Sequence, residues 1–168
     1  EGRRGAALNE IPLKSAAELA GHFCAVVFSP SHLSLIKNGP LEKRKFIDTS
    51  ICQIKPKYIH ILGQYTRVLD QRNRLLKDIA YETSLFDTLD IWDARLASFA
   101  AVLIKTRASF LDRLSPFARE TYAGISGEKE ALGLEYQSSL RCDTALSIPE
   151  IEGQVLEDLR AHRGEDIR

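Results

Sequence analysis

Three consecutive cations, Lys43, Arg44 and Lys45, lie inside the run Glu42-Lys43-Arg44-Lys45-Phe46-Ile47-Asp48. On a helix successive side chains turn by about 100°, so the three cannot all face one acid. Asp48 can reach Arg44 and Glu42 can reach Lys45 at helical spacing, yet exposed pairs of that kind contribute only about 0.2–0.5 kcal/mol each. Lys37, Lys55 and Lys57 add positive charge nearby without adding acids. A surplus of this kind is the pattern that contacts phosphates. A second set, Arg67, Gln71, Arg74 and Lys77, recurs along one helical stripe opposite an apolar seam. For both sets a solvated helix face is the plainer alternative, and the residues alone leave the two readings open.

Other chemistry is thin. No G-x-x-x-x-G-K-S/T motif occurs, so no phosphate-cradling loop is encoded. Ile125-Ser126-Gly127-Glu128 has the look of a serine-glycine signature turn but fits a C-terminal helix cap better. Cys24, Cys52 and Cys142 are odd in number and far apart, and His22, His32, His60 and His162 form no ligand pair. Reduced thiols and no zinc are expected. No nucleophile with a base and no carboxylate pair stands out, so no active site is expected within the chain.

The 168 residues are 44% hydrophobic and 27% charged, which suits a globular protein. No apolar run approaches the roughly 18 residues of a membrane span. The opening Glu1-Gly2-Arg3-Arg4-Gly5 has no apolar stretch behind it, and the chain holds no methionine. That is the pattern expected of a segment from inside a longer chain. Net charge is zero but unevenly spread: Lys37 to Lys77 carries +7 and Asp78 onward carries −7. An anionic partner and two mutually neutralising faces both fit that asymmetry.

These groups need elements to position them. Ala6 to Leu13 reads as a strand or hairpin edge broken at Pro12. Ser15 with Glu18 reads as a capping box ahead of Ala16 to Gly21. Phe23 to Phe28 is a continuous apolar run of strand length, expected to be buried. Ser29-Pro30 opens a short helix to Lys37, stopped by Asn38-Gly39, and Pro40 starts another to about Gln53. From Lys55-Pro56 the apolar positions Tyr58, Ile61, Leu62, Tyr65, Val68, Leu69, Leu75, Leu76 and Ile79 recur near every 3.5 residues, with Arg72 the one polar member of the seam. Arg72 fits a register-setting contact better than a ligand site. A second run follows in Leu89, Trp92, Leu96, Phe99, Leu103, Thr106, Phe110 and Leu114, with Trp92 read as core. Each run of about 26 residues is about 40 Å long. The connection near Glu82 to Asp87 is short, so the two must lie antiparallel. Ser115-Pro116 is expected to cap a further helix closed by Gly127. Leu132, Leu134 and Tyr136 alternate as a half-buried strand reaching Leu140, and Ile148-Pro149 begins a last helix through Leu159, stopped by Gly164.

Several of these segments together resemble the RecF family. They are Val27-Phe28-Ser29-Pro30 with Leu33 to Lys37 and Gly39-Pro40; Glu42 to Asp48 against a family E-R-R-R-F-L-D; Tyr65-Thr66-Arg67; Gln71 to Lys77 against Q-R-N-x-L-L-K; Leu89 to Asp93; and Leu134-Glu135-Tyr136. Thr66 stands where the family has Asn, and Ala94-Arg95 departs from its usual Asp or Glu with Gln. The resemblance covers nearly the whole chain.

The resemblance implies a DNA replication, recombination and repair protein of the SOS response to DNA damage. It implies cytoplasmic location, no membrane partner, and an ABC/SMC-like head carrying a short arm. The family binds single-stranded and gapped duplex DNA, binds ATP with Mg, forms an ATP-dependent homodimer, is a weak DNA-dependent ATPase, and assists RecA loading with RecO and RecR. Its Walker A, signature, Walker B and G-P-H-R-D-D motifs fall outside the chain, so no cofactor is expected on the chain alone. The expected architecture is mainly α (α+β): a helical hairpin or coiled-coil arm with flanking strands belonging to an ATPase head. Residues 1–36 are expected to be a head fragment, 37–127 the arm, and 128–168 the return toward the head. Lys43, Arg44, Lys45, Arg67, Arg74 and Lys77 are then candidates for DNA or subunit contact. A freestanding helical adaptor is the rival. It should bury Phe23 to Phe28 by itself, whereas a RecF-like segment should leave that run partly uncovered.

Overall fold

The computed structural model describes residues 5–29, 34–37 and 39–167. Two strands come first, β1 (Ala6–Leu8) and β2 (Ile11–Leu13), followed by a 3-10 turn at Ala16–Leu19. Helices follow: α1 (Ser34–Lys37), α2 (Pro40–Ile54), α3 (Pro56–Ile79), a 3-10 segment Thr83–Thr88, α4 (Leu89–Ser126) and α5 (Ile148–Asp166). The fold is mainly α with a small two-stranded antiparallel sheet, as expected. It divides into two compact units, Glu1–His60 and Ile61–Arg168.

In the first unit, β1 and β2 form the expected hairpin, with Ala7 opposite Pro12. Asn9 and Glu10 both have positive φ, 50° and 69°, as a two-residue turn matching strand twist requires. The capping box at Ser15 does not form. Its side chain makes no cap bond, and the Ser15 carbonyl accepts from Glu18 N instead, because a four-residue 3-10 turn closes with backbone alone. Gly21 has φ of 82°, and a Cβ there would meet Pro56 at 2.7 Å, so glycine is needed twice over. Pro40 starts α2 directly after Gly39. The Ser29-Pro30 cap and the Asn38 stop fall on or beside residues outside the described ones.

Phe23 to Phe28 is not a buried strand. It has no regular structure, and Phe28 is 88% exposed. A strand needs partners for its backbone groups; here Cys24 Sγ donates to the Gln53 carbonyl and Ala25 N donates to Gln53 Oε1. The run is left uncovered, as a RecF-like segment should leave it and a self-sufficient adaptor should not.

The second unit carries the hairpin. Every seam residue from Ile61 to Ile79 is shielded, and the solvent side of α3 holds the polar ones. Ile79 and Leu76 cluster with Leu89; Val68 clusters with Leu96, Ala97 and Ala100. Positions descending on α3 thus meet positions ascending on α4, which makes the pair antiparallel. Ile151, Val155 and Leu159 of α5 complete the core against α4.

Three expectations need correction here. Ser115-Pro116 does not begin a new helix: α4 runs unbroken through Pro116 for 38 residues, to Gly127 in the left-handed region. A proline inside a helix costs one ladder bond and some bending, and α4 is long enough to carry that. Residues 131–140 alternate half-buried and exposed as the pattern implied, but they form no strand. Tyr136 and Leu140 lie on the helical core instead of pairing with a sheet. Finally, α5 continues through Gly164 to Asp166. Trp92 packs against the core while staying only half-buried.

Candidate nucleic-acid interface

The first candidate set sits on α2. Pro40 fixes the helix start, so the next turns place Lys43 and Lys45 on the solvent side, both exposed, while Arg44 is half-buried. Ile51, on the inner face, is buried. The acids expected to answer these cations do not. Asp48 accepts a hydrogen bond from the Tyr58 hydroxyl at 2.6 Å. Arg44 Nε donates to the Pro40 carbonyl at 3.3 Å. Among the described residues no ion pair engages Lys43, Arg44 or Lys45.

The second set, Arg67, Arg74 and Lys77, is exposed on α3 opposite its apolar face. These three belong to the second compact unit and the α2 cations to the first. The α3 stripe is less basic than it reads, because exposed Asp70 and Asp78 lie three and four residues along from Arg67 and Arg74. The α2 cluster is therefore the larger local surplus.

Sequence reasoning missed a buried charge network. Asp93 on α4 is 0% exposed and sits between two guanidinium groups. Arg72 Nε of α3, 3% exposed, donates to Asp93 Oδ1 at 2.6 Å. Arg163 Nε of α5 donates to Asp93 Oδ2 at 2.7 Å. The network reaches outward as Arg72 pairs with Asp166 at 2.9 Å and Arg163 with Asp90 at 2.6 Å. Arg160 adds a longer contact to Asp90, 3.3 Å. Hydrogen bonding to Arg163, helped by its charge, holds the Asp90 carboxyl below its usual range. Burial opposes the charge of Arg163, yet its bonds to Asp90 and Asp93 hold its pKa above the ordinary value.

Arg72 therefore ties three helices together, as a register-setting residue would. The signal available was a pair: Arg72 in the α3 seam, and Asp93 four residues after Leu89 and three before Leu96 in the α4 seam. Arg72 Nη2 is buried without a hydrogen-bond partner. Arg72 also lines a cleft of about 390 Å³ with Arg141, His162, Asp158, Glu165 and Asp166. Cations and carboxylates alternate there, so the cleft favours neither an anion nor a cation.

Among the described residues no group of three or more His, Cys, Asp or Glu could hold a metal ion. No described helix is long and apolar enough to cross a membrane.

No family model matches the chain. It is similar to curated proteins named DNA replication and repair protein RecF. The protein of Agathobacter rectalis is 45% identical over 139 residues, covering 83% of this chain and 38% of the relative. That of Acetivibrio thermocellus is 37% identical over 161 residues, covering 96% and 44%. Two solved structures, described as the recombination mediator protein RecF in the RecFOR pathway, superimpose closely. The one with ATPrS gives a TM-score of 0.88 at 34% identity, covering 95% of this chain and 42% of that one. The one with ATP gives 0.85 at 33% identity, covering 99% and 44%. The chain spans less than half the length of these relatives.

Proposed function

The chain belongs to the RecF family of DNA replication and repair proteins, of whose length it represents a part, and on that premise we propose that it is the helical arm of a recombination mediator. In this reading residues 37–127 form the arm, and residues 1–36 and 128–168 join it to an ATP-binding head. The intact protein binds single-stranded and gapped duplex DNA in the cytoplasm. It binds ATP with Mg, dimerises on ATP, hydrolyses it weakly when DNA is bound, and assists RecA loading with RecO and RecR. The exposed Phe23–Phe28 run supports the join to a larger body, since nothing described covers it.

The residues of this chain do not fit a nucleotide site: the phosphate loop, which supplies backbone amides and a lysine, is not encoded in it. ATP and Mg are therefore assigned to the remainder of a RecF protein, and no residue here is given a role toward them.

The observation that carries the DNA reading is the α2 cluster, whose cations are answered by no acid among the described residues. Lys43 and Lys45 are the principal phosphate contacts. Arg44, held on Pro40, and the α3 residues Arg67, Arg74 and Lys77 contribute less. Neutralising phosphates releases condensed counterions, so removing one phosphate-binding cation flattens the dependence of log affinity on log salt by about 0.9 on duplex DNA. In the intact protein Lys43→Ala and Lys45→Ala should each weaken binding to gapped duplex about equally across sequences, with a shallower slope. Fluorescence anisotropy titrated at several salt concentrations reads both. Unchanged affinity and slope, with ATP-dependent dimerisation also unchanged, would return the cluster to a solvated helix face.

A further inference from the structure

The cation cluster on α2 depends on a residue outside that helix. A proline disfavours helical geometry in the residue before it, and Lys55, which precedes Pro56, leaves the helix with φ of −126° and ψ of 86°. The chain turns there and restarts as α3 at Pro56. Tyr58, in the first turn of α3, is 2% exposed and reaches back to α2. Its hydroxyl donates to Asp48 Oδ1 at 2.6 Å. Both residues lie in the first compact unit.

This bond draws Asp48 toward the inner side of α2. Three residues on, Ile51 is buried. Four residues on, burial and then the Asp48 charge push the Cys52 thiol pKa up. In the other direction Asp48 stands three residues after Lys45 and four after Arg44, the spacings at which a carboxylate closes on a cation. Among the described residues it makes an ion pair with neither. Arg44 leans away from it: its Nε donates to the Pro40 carbonyl, one turn toward the helix start, at 3.3 Å. The pairs that helical spacing offers are thus held open from both sides.

We infer that Tyr58 is a positioning residue of the α2 phosphate site: its hydroxyl holds the Asp48 carboxylate away from Lys45 and Arg44, which leaves those cations to phosphate. The assignment rests on the DNA reading of α2 and adds to it a control on how many charges the cluster presents. Removing the hydroxyl removes a donor that draws Asp48 inward, and the carboxylate then turns back along its own helix to Lys45 or Arg44. A cation engaged that way must break its pair before it meets a phosphate.

The test uses the intact protein, a gapped duplex of one sequence, and fluorescence anisotropy at several salt concentrations. Tyr58→Phe keeps the ring and removes only the hydroxyl. It should weaken binding by about twofold, the strength of an exposed helical pair. The slope of log affinity against log salt should flatten by up to about 0.9, since one cation is partly withdrawn. Asp48→Asn keeps an acceptor for the Tyr58 hydroxyl but carries no charge, so it should bind at least as tightly as the wild type. The double variant Tyr58→Phe/Asp48→Asn should recover the wild-type affinity and slope. A purely structural Tyr58 predicts the opposite, a double variant no better than Tyr58→Phe, and that result overturns the assignment. So does an unchanged affinity and slope in Tyr58→Phe. Lys45→Ala, titrated alongside, separates the two levels. If it flattens the slope while Tyr58→Phe does not, the positioning role fails and the DNA reading stands; if it leaves the slope unchanged, both fail.

Discussion

Replacing Asp93 by alanine should be among the most destabilising single changes in the helical unit. Its carboxylate is 0% exposed and accepts from Arg72 at 2.6 Å and Arg163 at 2.7 Å. Without it Arg72 stays buried with one ionic partner, Asp166, and one guanidinium nitrogen that already lacks a partner. Leaving a buried charge uncompensated costs about 3–5 kcal/mol. Counting the two broken charge-assisted bonds at about 1.5–3 kcal/mol each leads to the same range. Arg163 moderates the loss, since it keeps Asp90. Urea unfolding followed by circular dichroism measures the change. With a slope of about 1–3 kcal/mol per molar, the midpoint should fall by at least about 1 M. The double replacement Arg72→Met/Asp93→Leu should recover most of it, because apolar residues of similar volume remove the charge and its desolvation cost together. A loss below about 1 kcal/mol for Asp93→Ala would refute the buried network.

Acid should weaken the same region. Asp90 has its pKa lowered in the folded protein, so its contribution is present above the ordinary carboxylate value of about 3.9 and disappears as pH falls through the depressed one. Melting temperature should therefore drop below about pH 4 in the wild type and drop less steeply there in Asp90→Asn; identical pH profiles would count against the Arg163 contact. Pro116→Ala should stabilise α4, by less than about 3 kcal/mol, since it restores a helix donor in a helix that already runs through the position. Thermal melts check this, and a lower melting temperature would show that packing depends on the proline's bend.

The hairpin is legible in the sequence because its period is carried by ten successive seam positions, Tyr58 through Ile79, every one of which is shielded from solvent. Local signals fail where a distant contact decides the outcome. Ser115-Pro116 looks like a helix start, and only the length of α4 carries the helix across it. Leu132, Leu134 and Tyr136 show a period of two, which reports alternating burial but not what lies opposite; for Tyr136 it is the helical core. Apolarity alone makes Phe23 to Phe28 look buried, and apolarity says nothing about whether a cover is present. The cap of α5 is a local signal of the reliable kind: Ser147 and Glu150 hold the capping-box spacing, and the Glu150 carboxylate accepts from Ser147 N at 2.9 Å.

The candidate site is legible to the extent that charge is local. Lys43 and Lys45 stand out from three neighbouring letters. Asp93 does not, because its partner Arg163 lies 70 residues along the chain. Together these explain the uneven charge of the sequence, +7 from Lys37 to Lys77 and −7 beyond. Within the helical unit the two blocks meet: Arg72 comes from the basic one, and its partners Asp93 and Asp166 from the acidic one. That part of the asymmetry is internal and sets the register of three helices. At α2 no acid among the described residues closes on Lys43 or Lys45, and at the hairpin turn no base among them closes on Asp78 or Asp87. What the fold does not neutralise is therefore split into two outward surpluses of opposite sign. A single anionic partner satisfies only the one at α2, which is the surplus that the proposed phosphate contact uses.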